Sequence, residues 1–312
     1  MLWSRLKDRG VIGLNYRNSE LIMRLNPRHL FPLVDDKLIT KRLAIEAGIA
    51  VPDLYSTITS QIEIEEFVRS RKFDDFVIKP GCGSGGEGIV VVTGMKKSGF
   101  QKADGSIIGF NETSDHLSRI LSGVYSLGAM PDKALVEYRV KFDPVFEPVS
   151  YLGVPDIRVI VFKGVPILAM LRLPTRTSSG KANLHQGAVG AGIRLSDGET
   201  TYGVCLGKAC EEHPDTGNLI RGVIVPHWEK LLKLAARSYE LTGLGYQGVD
   251  LVLDRQMGPL LLELNARPGL AIQIANRVGI MSRVRVVEKL ELWKESLDVR
   301  VARVRELFAS SD

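Results

Sequence analysis

Apolar residues along this chain switch between two spacings, and the switches mark out the elements. Two-residue alternation, or short apolar runs rich in Val, Ile, Leu and Phe, predicts strands at Phe76–Pro80, Ile89–Val92 and Ala134–Val140. The same signal predicts two hairpins, Asp156–Phe162 with Val165–Leu173 about a Lys163-Gly164 turn, and Val249–Leu253 with Leu260–Leu264. Helical spacing predicts helices over Lys37–Ala47, from Ser60 to about Ser70, from Ser114 with Leu117, Ile120, Leu121 and Val124 on one face, and over His227–Leu241. Their ends carry capping chemistry: Asp35-Asp36 before the first, a Ser60-Gln-Ile-Glu63 capping box at the second, Gly243 as the stop of the last. Residues 1–34, basic and broken at Asn26-Pro27 and Phe31-Pro32, read as an arm. Residues 94–112 read as a polar excursion, and 188–222 as Gly-rich irregular chain. From about Val284 a stripe of Leu290, Trp293, Leu297, Val301, Val304 and Phe308 predicts a C-terminal helix, suited equally to packing within the chain or to a second copy in a homo-oligomer.

The second hairpin breaks its own pattern. Gly248 to Gly269 reads GVDLVLDRQMGPLLLELNARPG, and a hairpin centred between Gln256 and Met257 sets Asp250 opposite Glu263. Period-two alternation then puts Asn265 on the same face as Glu263. Acids on an apolar ribbon are costly unless a positive group meets them, and hard oxygen ligands of this kind suit magnesium with substrate phosphate. An ordinary hairpin with a polar rim is the plain alternative.

The second anomaly is Gly81-Cys-Gly-Ser-Gly-Gly-Glu-Gly88, five glycines in eight residues between two strands. Successive unobstructed N–H groups form a nest for phosphate, and Lys79 just before the loop could reach it as a point charge. No G-x-x-x-x-G-K-[ST] is present and a strand follows, so this is no Walker loop; a flexible hairpin loop is the alternative. Lys37, in the first turn of its helix, taken alone reads as a solvated charge. Pro174–Gly187 is a long loop of small, polar and basic residues, the composition of a mobile substrate loop, with Asn183 and His185 as its distinctive groups.

Bulk properties exclude more than they assign. The chain of 312 residues has the apolar and charged content of a soluble globular protein, and no run approaches the roughly 18 apolar residues of a membrane span. No signal-peptide run opens it, and Cys82, Cys205 and Cys210 make neither a metal pattern nor a disulfide framework, so a cytoplasmic address is expected. A net charge of +5, dispersed, favours an anionic substrate without demanding nucleic acid.

Strand, Lys79, glycine loop and strand, then a strand ending in Glu137-Tyr138, then the late Asp250…Glu263-Leu-Asn265 hairpin: this order resembles the ATP-grasp ligases over about residues 35–280. It is most similar to RimK-type amino-acid ligases and the alpha-L-glutamate-ligase-like proteins grouped with them. The resemblance implies an α+β, ATP-grasp fold with two subdomains whose antiparallel sheets sandwich ATP. Their expected bounds are 35–135, with the glycine lid, and 136–280, with the metal site, followed by the helix of 281–312. It further implies that Lys37 and Lys79 contact ATP phosphates, that Gly83, Ser84, Gly85 and Gly86 form the lid, and that Glu137 and Tyr138 form the adenine-holding linker. By the same resemblance Asp156 lies near the ribose, while Arg158 and Arg172 serve the reacting phosphate and substrate carboxylate. Lys181 and Asn183 match the loop motif Arg-Ser-Asn-Leu-His. Asp250, Glu263 and Asn265 match the ligands of magnesium (or manganese), two ions being expected, and Arg267 follows them. The implied activity is amide formation from a peptide or small-molecule carboxylate and an amino acid, glutamate foremost; a regulatory nucleotide-binding module and a kinase share the same motifs.

Three departures bear on that expectation. Only about 35 residues precede Lys37, so the N-terminal domain usual in these ligases is expected to be reduced to an arm or absent. Lys181-Ala182 stands where the motif has Arg-Ser. A simple two-residue turn at Lys163-Gly164 pairs Arg158 with Ala169 and puts Arg158 and Arg172 on opposite faces, so a bulge must intervene if both are to reach one site.

Overall fold

The computed structural model describes residues 2–83 and 85–309, and Ser84 of the expected lid lies outside them. The chain forms two units, one of residues 36–41 and 51–140, the other of residues 1–35, 42–50 and 141–312. No helix among the described residues is long and apolar enough to cross a membrane.

The smaller unit is built on an antiparallel sheet of six strands, Leu54–Ile58 (β1), Phe76–Pro80 (β2), Val90–Lys96 (β3), Gly99–Lys102 (β4), Ile107–Gly109 (β5) and Ala134–Glu137 (β6), in the order β1-β6-β2-β3-β4-β5. Its helices Gln61–Ser70 and Phe110–Leu121 pack on one another. The Ser60 capping box is formed, with Glu63 Oε2 accepting from Ser60 N at 3.0 Å. Phe76, Phe100 and Phe110 stack edge to face, centroids 5.2 and 5.3 Å apart, in a core completed by Ile78, Leu117 and Ile120. The expected excursion at 94–112 is instead ordered. Glycine hides it: Gly99 lets β4 approach β5 where a Cβ would lie 2.1 Å from Ile108 O. The following helix starts at Phe110 rather than Ser114, because Glu112 reaches back 2.7 Å to Gly109 N.

The larger unit carries a seven-stranded antiparallel sheet: Asp156–Phe162 (β7), Val165–Leu173 (β8), Val189–Ile193 (β9), Thr200–Cys205 (β10), Lys208–Cys210 (β11), Tyr246–Asp254 (β12) and Gly258–Asn265 (β13). Their order is β11-β10-β9-β8-β7-β12-β13, and every residue of β12 is buried. Residues 188–222, expected irregular, supply three of these strands. In Val-Gly-Ala-Gly-Ile the glycines erase the strand signal yet serve close packing, since a Cβ on Gly192 would sit 2.4 Å from Ala275 O in the helix Ala271–Asn276. The expected helix His227–Leu241 is two, Trp228–Ala236 and Ser238–Thr242. The tail is likewise two helices, Ile280–Leu290 and Leu297–Leu307, separated at Glu291, whose φ is 47°. Val301, Val304 and Phe308 are buried, and the last helix packs on Trp228–Ala236 and β8, so half of the tail stripe is used within the chain, while Leu290 stays exposed.

Residues 2–34, within the stretch expected as an arm, are largely helical and stitched into this unit. Buried Asn26 donates from Nδ2 to Tyr246 O at 2.6 Å and Ala266 O at 3.0 Å, and accepts from Tyr246 N at 2.9 Å. Gln273 exchanges hydrogen bonds of 3.0 Å each with both backbone groups of Ile12, and Arg17 donates to Pro268 O at 3.0 Å.

Candidate functional site

In the larger unit the charged residues assemble by strand register. Arg158 on β7 stands opposite Asp250 on β12, which stands opposite Glu263 on β13. The last pairing is the one expected, although the turn, Arg255-Gln256-Met257, centres on Gln256 rather than between Gln256 and Met257: a bulge at Leu262 makes up the difference. On the other flank a bulge at Ile167 sets Arg172 opposite Asp156, two residues from Arg158 and on its face. The condition for both arginines to reach one site is thereby met.

Their side chains converge on Asp250, whose own side chain is 3% exposed. Arg158 donates from Nε to Oδ1 at 2.6 Å and from Nη2 to Oδ2, and Arg172 Nη2 donates to Oδ2 at 2.6 Å. Asn265 Nδ2 adds a longer contact of 3.4 Å to Oδ2, in keeping with its shared face. Arg172 also grips Asp156 at two points, Nε to Oδ1 and Nη2 to Oδ2 at 2.7 Å. Burial holds Asp250 up while Arg158 and Arg172 pull it further down, leaving its carboxyl below the ordinary value. Burial pushes the Asp156 carboxyl up to about 7 against the pull of Arg172. Arg172 is itself driven upward by Asp156 and Asp250 despite its burial. The two-point contact favours the ionised pair, because both guanidinium N–H groups point at carboxylate oxygens.

Two acids and an amide on one face are the hard-oxygen donors that a divalent cation such as magnesium or manganese takes. Among the described residues no three His, Cys, Asp or Glu side chains converge on one point, so an ion at Asp250 and Glu263 would draw its remaining ligands from Asn265, water or phosphate. Arg267 is engaged elsewhere in this unit, with Nη2 3.2 and 3.0 Å from the Asp35 carboxylate and its guanidinium 4.8 Å from the Phe31 ring centroid.

The base of the 174–187 loop is pinned rather than free. Thr175 Oγ1 donates 2.8 Å to Gly187 O, and buried His213 meets Pro174 O at 2.9 Å through Nε2. Asp215 N donates to His213 Nδ1 at 3.3 Å, which fixes the tautomer with the proton on Nε2. Farther out, Asn183 caps the turn Leu184–Gln186 by accepting from His185 N at 3.0 Å, Lys181 N bonds Ser178 O at 3.0 Å, and His185 is exposed.

In the smaller unit Lys37 belongs to the glycine loop. Its backbone N–H donates to Gly81 O at 2.9 Å, and its Nζ donates to Gly83 O. Asp36 caps the helix, with Oδ1 2.9 Å from Leu38 N. Asp132, which the sequence did not single out, anchors the loop by accepting from Cys82 N at 2.9 Å and from Ser126 Oγ at 2.7 Å. Gly85 and Gly86 at the tip have φ of 66° and 76°. Gly88 closes the loop at φ 73° against Tyr125, where a Cβ would lie 2.7 Å from the ring. Lys79 and Glu137 form an ion pair of 2.6 Å, and a second buried lysine, Lys41, lies 3.2 Å from the other Glu137 oxygen. Lys41 sits four residues after Lys37 on one helix face, the one signal that could have drawn attention to it. Tyr138 donates its backbone N–H to Asp53 O at 2.8 Å.

Residues 16–289 match the family described as sugar-transfer-associated ATP-grasp. No curated protein sequence matches. Among solved structures the chain is similar to the ATP-grasp ligase PsnB complexed with a minimal precursor, at 15% identity, 86% of this chain, 64% of PsnB and a TM-score of 0.46. It is similar to D-alanine–D-alanine ligase from Bacillus anthracis at 15% identity, 90% of this chain, 68% of that one and a TM-score of 0.42. A biotin carboxylase complex with β,γ-ATP from Campylobacter jejuni shares the fold at 12% identity over 83% of this chain and 47% of that one, with a TM-score of 0.51. The chain thus spans less than two thirds of the PsnB structure, 64% of its length.

Proposed function

The chain belongs to the sugar-transfer-associated ATP-grasp family, and from that membership we propose that it is an ATP- and Mg²⁺-dependent carboxylate–amine ligase, related in activity to the RimK-type enzymes. The observation that carries the proposal is the alignment of Arg158, Asp250 and Glu263 across three neighbouring strands, with Arg172 on the same carboxylate. A cluster of two arginines and three acids is expensive to bury and is poorly explained by stability alone. It is well suited to phosphoryl transfer, where positioning and charge neutralisation are nearly all that the protein supplies.

Oxide is a poor leaving group, so a carboxylate does not acylate an amine. In the proposed reaction a carboxylate oxygen attacks the γ-phosphorus of ATP and ADP leaves; the amine then attacks the acyl carbon, phosphate leaves with the C–O electron pair, and the amine proton passes to solvent. Bound magnesium, one ion or two, would neutralise phosphate charge. Asp250, Glu263 and Asn265 are the residues that would hold it. Arg158 and Arg172, released from Asp250, would then turn to the transferred phosphate and the acceptor carboxylate. Lys37, Lys79 and the Gly83, Gly85 and Gly86 amides would hold the ATP phosphates. The 174–187 loop, fixed at its base, would exclude water with Lys181 and Asn183 near its turn. An amino acid such as glutamate is the proposed amine, and a peptide or small-molecule carboxylate the acceptor; the family's association with sugar transfer adds sugar acids to those to be tried.

The test is ADP release coupled to amide formation by the purified chain, with ATP, Mg²⁺, mixed amino acids and carboxylate acceptors, read by mass spectrometry. Lys79→Ala and Glu263→Ala are each expected to abolish it. Unchanged turnover in both overturns the assignment, and a phosphate ester in place of amide and free phosphate makes the protein a kinase.

A further inference from the structure

In the smaller unit one carboxylate serves two ammonium groups. Glu137 Oε2 lies 2.6 Å from Lys79 Nζ and Oε1 lies 3.2 Å from Lys41 Nζ. Lys41, Lys79 and Glu137 are 5%, 6% and 2% exposed, so the three charges are out of water together. Their sum is +1, an excess that burial makes costly unless another anion shares it. The contacts say where the excess lies. Lys41 is held from two sides: Nζ donates to Pro52 O and lies at ion-pair distance from Glu137 Oε1, a buried atom with no hydrogen-bond partner among the described residues. Lys79 ends the strand that runs into the glycine loop, and beyond Glu137 its ammonium has donors left for a phosphate.

We propose that Lys41 is a positioning residue for nucleotide binding: by engaging Glu137 it keeps Lys79 from being neutralised, so that Lys79 can take a phosphate of the bound nucleotide. The inference rests on the ATP reading above and adds a cation that does not itself touch the ligand. Remove Lys41, and Glu137 with Lys79 becomes a neutral one-to-one pair that holds its lysine. Remove the Glu137 charge as well, and Lys79 is free again. Burial, the largest influence on Lys41, lowers its pKa to about 8 against the upward pull of Glu137 and, more weakly, of the exposed Asp53.

The experiment is calorimetric titration of the full chain with AMPPNP–Mg²⁺, with adenosine as a control that carries no phosphate. Lys41→Met is expected to weaken AMPPNP at least about tenfold and leave adenosine unchanged. Lys41→Met/Glu137→Gln restores the +1 balance and is expected to recover affinity to within about threefold of the parent. Lys41→Arg is expected to bind like the parent. The inference is overturned if the double variant binds no better than Lys41→Met, or if Lys41→Met binds as the parent does. Should Lys41→Met fail to fold, Glu137→Gln decides alone: tighter AMPPNP supports the inference, and equal or weaker binding refutes it. A parent chain that binds no AMPPNP overturns the ATP reading itself, whereas failure of the rescue overturns this inference only.

Discussion

Replacing Arg172 with Met tests whether the strand-register cluster works as a unit. Arg172 gives Asp156 two hydrogen bonds and Asp250 one, and Asp250 keeps Arg158 when Arg172 is gone. Arg158's charge also acts on Asp156, but Arg172 is the cation hydrogen-bonded to it, and the carboxyl is 6% exposed. Losing Arg172 removes the stronger downward pull on a carboxyl that burial already raises to about 7, so in the variant it stays protonated at and above neutral pH. At pH 7 Arg172→Met is therefore expected to lose what its missing hydrogen bonds cost, about 1–3 kcal/mol in urea denaturation. Above pH 7 the parent's Asp156 ionises and the variant's does not, so the loss should grow by up to about 1.4 kcal/mol per pH unit, and it should level off below pH 7. Asp156→Asn in the same chain removes the titrating carboxyl and should abolish the pH dependence. A loss independent of pH, or a pH dependence that survives Asp156→Asn, refutes the reasoning.

Two further outcomes follow from other parts of the molecule. Asn26→Ala strands Tyr246 N–H, Tyr246 C=O and Ala266 C=O beside the candidate ligand strands, and should destabilise the chain by about 3 kcal/mol in urea melts; a loss under about 1 kcal/mol would show that the N-terminal segment is dispensable. Lys41 gives a pH signature of known sign: its folded pKa, about 8, is depressed from 10.5, so the charged form is disfavoured by folding and the unfolded chain binds more protons between those values. The parent should accordingly gain stability relative to Lys41→Met as pH rises from about 8 towards 10.5, while AMPPNP affinity falls over the same range and stays flat in Lys41→Arg; pH-independent differences refute the assignment.

What the chain discloses before folding depends on how local the controlling physics is. The hairpin of Asp250 and Glu263 was legible because alternation and turn chemistry are local, and Asp250 faces Glu263 as expected. The route to that register was not: the turn centres on Gln256 rather than between Gln256 and Met257, and the Leu262 bulge makes up the difference. Strands β9 to β11 were hidden because glycines that admit close packing also erase the apolar pattern. Asn26 and Asp132 act through side chain-to-backbone bonds across 50 to 240 residues of chain, and no window along the sequence contains both partners. Lys41 reads as a surface lysine until burial is known. The Ser60 capping box, the Asp36 cap and the Gly243 stop, each set by neighbours within four residues, were visible, whereas the Gly109–Glu112 box was not.

The paired bulges at Ile167 and Leu262 give this site an arithmetic of its own. Each holds one unpaired residue between its turn and the site. Were either strand to pair regularly at its present length, Leu262 would stand opposite Asp250 and Leu171 opposite Asp156, and Glu263 and Arg172 would turn to the other face. Removing the bulged residue itself leaves both pairings as they are, because it takes away the one residue without a partner. The bulges are thus a slack of one: each strand absorbs the loss of a residue between turn and site, whereas the gain of one turns the chemistry to the wrong face while sparing every motif by which it would be recognised.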